Sequence, residues 1–233
     1  MEEKRDLLTG AGLLAAFALW TVMIQCIDVR AVGPNSTKIG FAAFNVWFHK
    51  LIGVHMALYT ITDWLGLVPI FICMYFGVLG LVQLIKRRSL RRVDTDIILL
   101  GLYYVLVIAF YLIFEMIPIN YRPVLIEGRM EASYPSSTTL LVLSVMPTLV
   151  FQADRRAADP LIRKAAAIFA VAFSVFMVIG RLFSGVHWAT DIAGSVLLSA
   201  GLFMLYSSVV KYSDKAKTAD RSDYGIQRKT AGT

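Results

Sequence analysis

Apolar residues fall along the chain in six long uncharged blocks, separated by short charged or polar segments. The blocks are Leu7–Ile27, Trp64–Ile85, Ile97–Phe114, Ala132–Ala153, Ala165–Gly180 and Ile192–Val210. Most reach or approach the roughly 20 apolar residues that cross a hydrocarbon layer about 30 Å thick. The pattern predicts an all-α, polytopic membrane protein with six transmembrane helices. The fifth block is the shortest and can extend into Arg163 and Lys164, whose long side chains reach an interface. The fourth opens on residues that read as a loop. The first is longer than the apolar stretch of a signal peptide and shows no small-x-small cleavage site, so it is expected to stay as an anchor.

The long connection Asp28–Asp63 begins with the turn-like "VGPNSTK" and continues as "IGFAAFNVWFHKLIGVHMALYTITDW". That second run is apolar but broken by His49, Lys50 and His55, with aromatic residues around the charges. It predicts one or two helices lying in the interface or dipping back towards the site, either as a gate for a lipid or as a plain cap. After Val210 the chain turns polar, which predicts a frayed helix end and then disorder. The organisation is one membrane domain over 1–210 and a polar cytoplasmic tail over 211–233.

Composition agrees with this: 58% of residues are hydrophobic and 17% charged, with a mean hydropathy of +0.66. The net charge of +7 invites a nucleic-acid partner, but its distribution argues otherwise. Lys4 and Arg5, the run "KRRSLRR" (Lys86 to Arg92), Arg155, Arg156, Arg163, Lys164 and the basic residues after Val210 hold 17 of the 23 lysines and arginines on one side. This is the positive-inside pattern, so both termini are expected in the cytoplasm, with the basic runs meeting anionic lipids there. Cys26 and Cys73 fall inside apolar runs and read as small buried hydrophobes. Nothing calls for a cofactor or a metal.

Charge inside so apolar a chain then needs a reason, and "GRLFSGVHWATD" (Gly180 to Asp191) concentrates it. The predicted topology puts this segment on the same outer face as "NYRPVLIEGRMEASYPSSTT" (Asn120 to Thr139), where Arg122, Arg181, His187 and Asp191 can converge. His187 and Asp191 are four apart, which on a helix sets them on one face. The aspartate can then fix one imidazole nitrogen and leave the other free to attack. Arg122 and Arg181 supply forks suited to phosphate oxygens. Ser136 and Ser137 precede a helix, whose opening N–H groups suit an anion. Together these parts describe phosphoryl transfer through a phosphohistidine. His49 and His55 read as structural.

These segments make the chain resemble the type-2 phosphatidic acid phosphatase family, whose motifs are K-x6-R-P, P-S-G/S-H and S/G-R-x5-H-x3-D. The third is matched at Arg181, His187 and Asp191, the first at Arg122–Pro123, and the second as "YPSS", Tyr134 to Ser137. The resemblance implies a metal-independent phosphatase of lipid phosphates or diphosphates at the outer membrane face. In it His187 is the nucleophile, Asp191 its partner, and Arg122, Arg181, Ser136 and Ser137 the phosphate ligands.

Two positions depart from the pattern. Glu115 stands where the family has lysine, and Thr138 where it has the histidine that protonates the leaving group. Arg129 is a candidate to pair with Glu115 or to replace the lysine. Without the histidine, a diphosphate such as a polyprenyl diphosphate becomes the expected substrate, because its leaving phosphate is stable as an anion; Glu127 and Glu131 are candidate substitute acids. Two other readings stay open: a catalytically weak relative that binds or moves an anionic lipid, and a lipid phosphotransferase.

Overall fold

The computed structural model describes residues 2–230, with side chains over 3–218. Helix α1 (Glu2–Cys26) is followed by a small hairpin with strands of two residues each, β1 (Arg30–Ala31) against β2 (Lys38–Ile39). Then come α2 (Ala42–Ile52), α3 (Met56–Leu65), α4 (Leu67–Arg87), α5 (Thr95–Met116), α6 (Ser137–Arg156), α7 (Pro160–Phe183) and α8 (Ala189–Thr230). Among the described residues, six helical segments are long and apolar enough to cross a membrane. Where they differ from the predicted blocks, local chemistry explains it. Gly66 keeps right-handed helical angles, so α3 runs into α4 and the second crossing starts at Met56 rather than Trp64. Residues 132–136 form a loop, as their composition suggests, and α6 starts only at Ser137. The fifth crossing lengthens at both ends: Asp159 accepts from Leu161 N at 2.8 Å and Pro160 opens the helix, the usual N-terminal chemistry. Helix α8 continues past Val210; residues 231–233 and the side chains beyond 218, in the expected disordered tail, lie outside the described residues.

Helix α8 is central, packed against α1, α5 and α6. Among lipid tails apolar surface gains little by leaving lipid for protein, so close packing and interhelical hydrogen bonds hold such a bundle. Tyr103 Oη donates to Ser144 O at 3.0 Å, Tyr104 Oη pairs with Thr148 Oγ1 at 2.7 Å, and Gln152 Nε2 donates to Tyr206 Oη at 3.0 Å. Such bonds contribute about 0.6–2 kcal/mol each. Leu8, Phe71, Val105 and Ile162 face outward, as lipid contact requires.

The start of α1 and the far part of α8 meet, through Ser208 Oγ donating to Glu3 O at 2.7 Å and Lys211 Nζ to Asp6 at 2.7 Å. The turns α4–α5 and α6–α7 join them at this basic end, where Arg156 bonds Asp94 and Asp96. The opposite end holds α2, α3, the α5–α6 loop and the α7–α8 turn. Everything singled out for chemistry lies there.

Candidate active site

The α7–α8 turn carries His187. Gly185 has φ +71°, and a Cβ on it would stand 2.0 Å from Gly53 O, so the turn presses on the α2–α3 junction where only glycine fits. His55 N donates to Ser184 O at 2.9 Å, and His49 Nε2 lies 3.0 Å from Gly185 O. His49 through its ring and His55 through its backbone therefore brace the turn. Helix α8 begins only at Ala189, so His187 precedes it and Asp191 sits in its first turn. This corrects the expectation of one shared helical face. The carboxylate instead caps its own helix start, Oδ2 accepting from Trp188 N at 3.0 Å.

The structure joins His187 to Asp191 through a third residue. Ser133 Oγ donates to Asp191 Oδ2 at 2.5 Å and lies 3.1 Å from His187 Nδ1. Asn120 Nδ2 donates to Asp191 Oδ1 at 3.1 Å. Ser133 O also lies 3.1 Å from Nδ1, and a carbonyl can only accept, so the ring proton belongs on Nδ1. That leaves Nε2 with a free lone pair, buried and without a partner. Burial, reinforced by the charges of Arg122 and Arg181, holds the imidazole well below its ordinary value of 6.5, so it is neutral near pH 7.

Arg181 ends α7 and is 1% exposed. Its Nη2 donates to Asp63 Oδ1 at 3.1 Å and to Thr138 Oγ1 at 2.5 Å. Its guanidinium lies 4.9 Å from the centre of the Tyr59 ring. Helix α3 reaches it because of Gly180, where a Cβ would stand 2.6 Å from Thr62 Cγ2. Arg122 approaches the same ring at 5.7 Å. Its Nε is 3.2 Å from Glu131 Oε2, but off the line of a hydrogen bond. Among the described residues five buried side-chain polar atoms lack a hydrogen-bond partner, and four are Arg122 Nε and Nη1, Arg181 Nε and His187 Nε2.

The remaining candidates are placed unequally. Ser136 is buried, with Oγ turned to Thr139 Oγ1 at 3.1 Å. Ser137 and Thr138 line the polar end of a cavity of about 490 Å³ between α4, α5 and α6. Its wall is otherwise mostly apolar, including Leu67, Ile70, Val107 and Leu141. Glu115 and Arg129 are exposed and form no ion pair with each other. Ser133, Asn120, Tyr59, Thr62 and Asp63 were not singled out from sequence. The first two lie in or at the edge of the quoted loop and carry no spacing signal; the other three come from the α3 segment, read there only as a gate or cap.

An apolar bundle with six candidate crossings among the described residues, and with two buried, under-bonded guanidiniums and an unpartnered imidazole nitrogen at one end, defines an integral membrane protein. The PAP2 superfamily matches residues 70–215, and the chain belongs to that superfamily. The fold is similar to the crystal structure of a transmembrane PAP2-type phosphatidylglycerolphosphate phosphatase from Bacillus subtilis. The TM-score is 0.61 at 17% identity, covering 87% of this chain and 96% of that one. No curated protein matches the chain.

Proposed function

We propose that the protein is a lipid phosphate and diphosphate phosphatase that works through a phosphohistidine on His187. The observation that carries this reading is the set of orphaned atoms: three guanidinium N–H groups and one imidazole lone pair, all buried, all at one end of the bundle. A buried unmet donor costs about 1–3 kcal/mol, and a phosphate group meets several at once. The two guanidiniums stabilise charge on the phosphoryl oxygens while Nε2 attacks phosphorus, and no metal is needed for that charge. Ser133 and Asp191 keep the Nδ1 proton in place and stabilise the ring as it becomes positive. The cavity below Ser137 and Thr138 suits a lipid chain. The charge asymmetry along the sequence supports a plasma-membrane protein with both termini and the basic end in the cytoplasm, against anionic lipids, and the site facing outward. Thr138 at the position of the family's acid favours diphosphates, whose leaving group needs no proton.

The test is phosphate release from a panel of lipid phosphates and diphosphates, with and without a chelator. His187→Ala is expected to lose at least about 10⁴-fold in turnover while remaining folded. Acid-labile phosphohistidine is expected on the wild type after a rapid quench. Full turnover in His187→Ala ends the proposal. Binding without turnover in the wild type points instead to a lipid-binding relative, and transfer to an added alcohol to a phosphotransferase.

A further inference from the structure

We infer that Asp63, on α3, is the catalytic acid that protonates the leaving oxygen of a lipid phosphomonoester. The inference rests on the phosphatase reading above, and it adds monoesters to the diphosphates that Thr138 by itself favours. It starts from Thr138, whose hydroxyl cannot give up a proton near neutral pH and already accepts from Arg181 Nη2 at 2.5 Å. The same nitrogen donates to Asp63 Oδ1 at 3.1 Å, so the carboxylate lies next to the position that lacks an acid.

Location separates Asp63 from the other carboxylates at this end. Asp63 and Thr138 both line the 490 Å³ cavity. A lipid phosphate with its phosphoryl group on Arg122 and Arg181 and its chain in that cavity has its bridging oxygen where the two regions meet. Asp63 is the carboxylate among the residues lining that cavity. Glu131 is held at Arg122, and Glu127 is exposed at φ +50° in the α5–α6 loop. Glu115 lines a separate small pocket with Phe114 and Pro135. The Asp63 side chain is also 56% exposed, against 1% for Arg181, so it has room to turn from the guanidinium towards a substrate.

The proton balance is complete with the substrate monoanion. A phosphate that takes over the Arg181 fork comes to lie beside the carboxylate, and the two acidic groups share the one proton that the monoanion brings. His187 Nε2 forms the N–P bond as the P–O bond to the lipid breaks, and the shared proton passes through Asp63 to the leaving oxygen, releasing an alcohol. The Asp63 carboxylate then takes a proton from the water that attacks the phosphohistidine. The N–P bond breaks, the departing phosphate takes that proton back from Asp63 and leaves as the monoanion, and both the ring and the carboxylate return to their starting states.

The experiment compares a lipid phosphomonoester with a polyprenyl diphosphate in wild type, Asp63→Asn, Asp63→Glu and Asp63→Asn/Thr138→His. The asparagine keeps an acceptor for Arg181 but has no proton to transfer. It is expected to lose about 10²–10⁴-fold in kcat on the monoester, with KM within about threefold and at most about tenfold lost on the diphosphate. Asp63→Glu, which keeps an acid, is expected to stay at least about tenfold above Asp63→Asn on the monoester. Thr138→His is expected to restore at least about tenfold to Asp63→Asn, because an acid returns beside the same oxygen. Equal losses on both substrates, an Asp63→Glu no better than Asp63→Asn, or no rescue by the histidine overturns the inference and leaves Asp63 as an anchor for Arg181. Release that needs His187 but survives in Asp63→Asn removes this inference alone. No His187-dependent release from either substrate removes the phosphatase reading as well.

Discussion

The two ends of the bundle use the same residue types in opposite ways. At the basic end, Arg156 spends its whole fork: Nε on Gln152 Oε1 at 2.8 Å, Nη1 on Asp94 at 3.2 Å and Nη2 on Asp96 at 2.7 Å. Arg155 bonds Asp96 and takes Asp214 with both terminal nitrogens, and Arg87 takes Asp94. These pairs tie α4, α5, α6 and α8 together. They are partly open to solvent, with Arg155 and Arg156 side chains 30% and 28% exposed. At the site end, Arg181 and Arg122 side chains are 1% and 9% exposed, and both keep unmet donors. Solvated, fully paired arginines cost little and act as ties. Buried arginines with unmet donors destabilise the empty fold and gain only when an anion arrives. Unsatisfied bonding capacity, more than charge itself, thus separates the site from the scaffold.

Exchanging the roles of these arginines tests that contrast most strongly. Arg122→Ala and Arg181→Ala are each expected to lower kcat/KM by about 10²–10³-fold. Arg156→Ala is expected to leave kcat and KM unchanged and to lower stability by about 1 kcal/mol, discounted for its exposure, as read by thermal unfolding in detergent. Loss of turnover in Arg156→Ala would dissolve the distinction between the two ends.

A second contrast lies within the site, where the imidazole reaches its carboxylate only through a serine. Asp191→Asn is expected to lose about 10²–10⁴-fold in kcat, by analogy with other histidines held in one tautomer. Ser133→Ala, which leaves the carbonyl bond to Nδ1 intact, is expected to lose roughly tenfold. A Ser133→Ala enzyme with unchanged kcat would mean that the backbone carbonyl alone orients the ring.

The smallest expected effect is on stability against pH, and it has different windows at the two ends. The folded His187 ring binds a proton more weakly than the unfolded one, so its contribution is fully present above the ordinary 6.5 and is lost as pH falls below that towards the folded value. His187→Asn is expected to flatten unfolding midpoints just below pH 6.5. Asp94 is held below its ordinary 3.8, chiefly by its bond to Arg87, so its contribution is lost only as pH falls from that value through the lower folded one. Identical pH profiles for wild type and His187→Asn would show that the buried ring is not the group titrating there.

What the sequence by itself determined is the set of features local along the chain. Six crossings followed from uncharged length, since a membrane demands that length whatever the neighbours are. The Gly180–Asp191 segment singled out Arg181, His187 and Asp191, and "NYRP" singled out Arg122, because each motif lies within one short stretch. Even there, spacing suggested a direct His187–Asp191 contact that the start of α8 at Ala189 does not allow. Only the tertiary structure decided that Ser133 stands between them, that Asn120 holds the other carboxylate oxygen, and that Tyr59 and Asp63 reach Arg181 from a segment read as a cap. It also left Arg129 exposed in the α5–α6 loop rather than paired with Glu115. The physical reason is that spacing along a chain reports neighbours on one element, whereas a hydrogen bond between elements depends on how closely they pack. At Gly180 and Gly185 that closeness is set by the absence of a side chain.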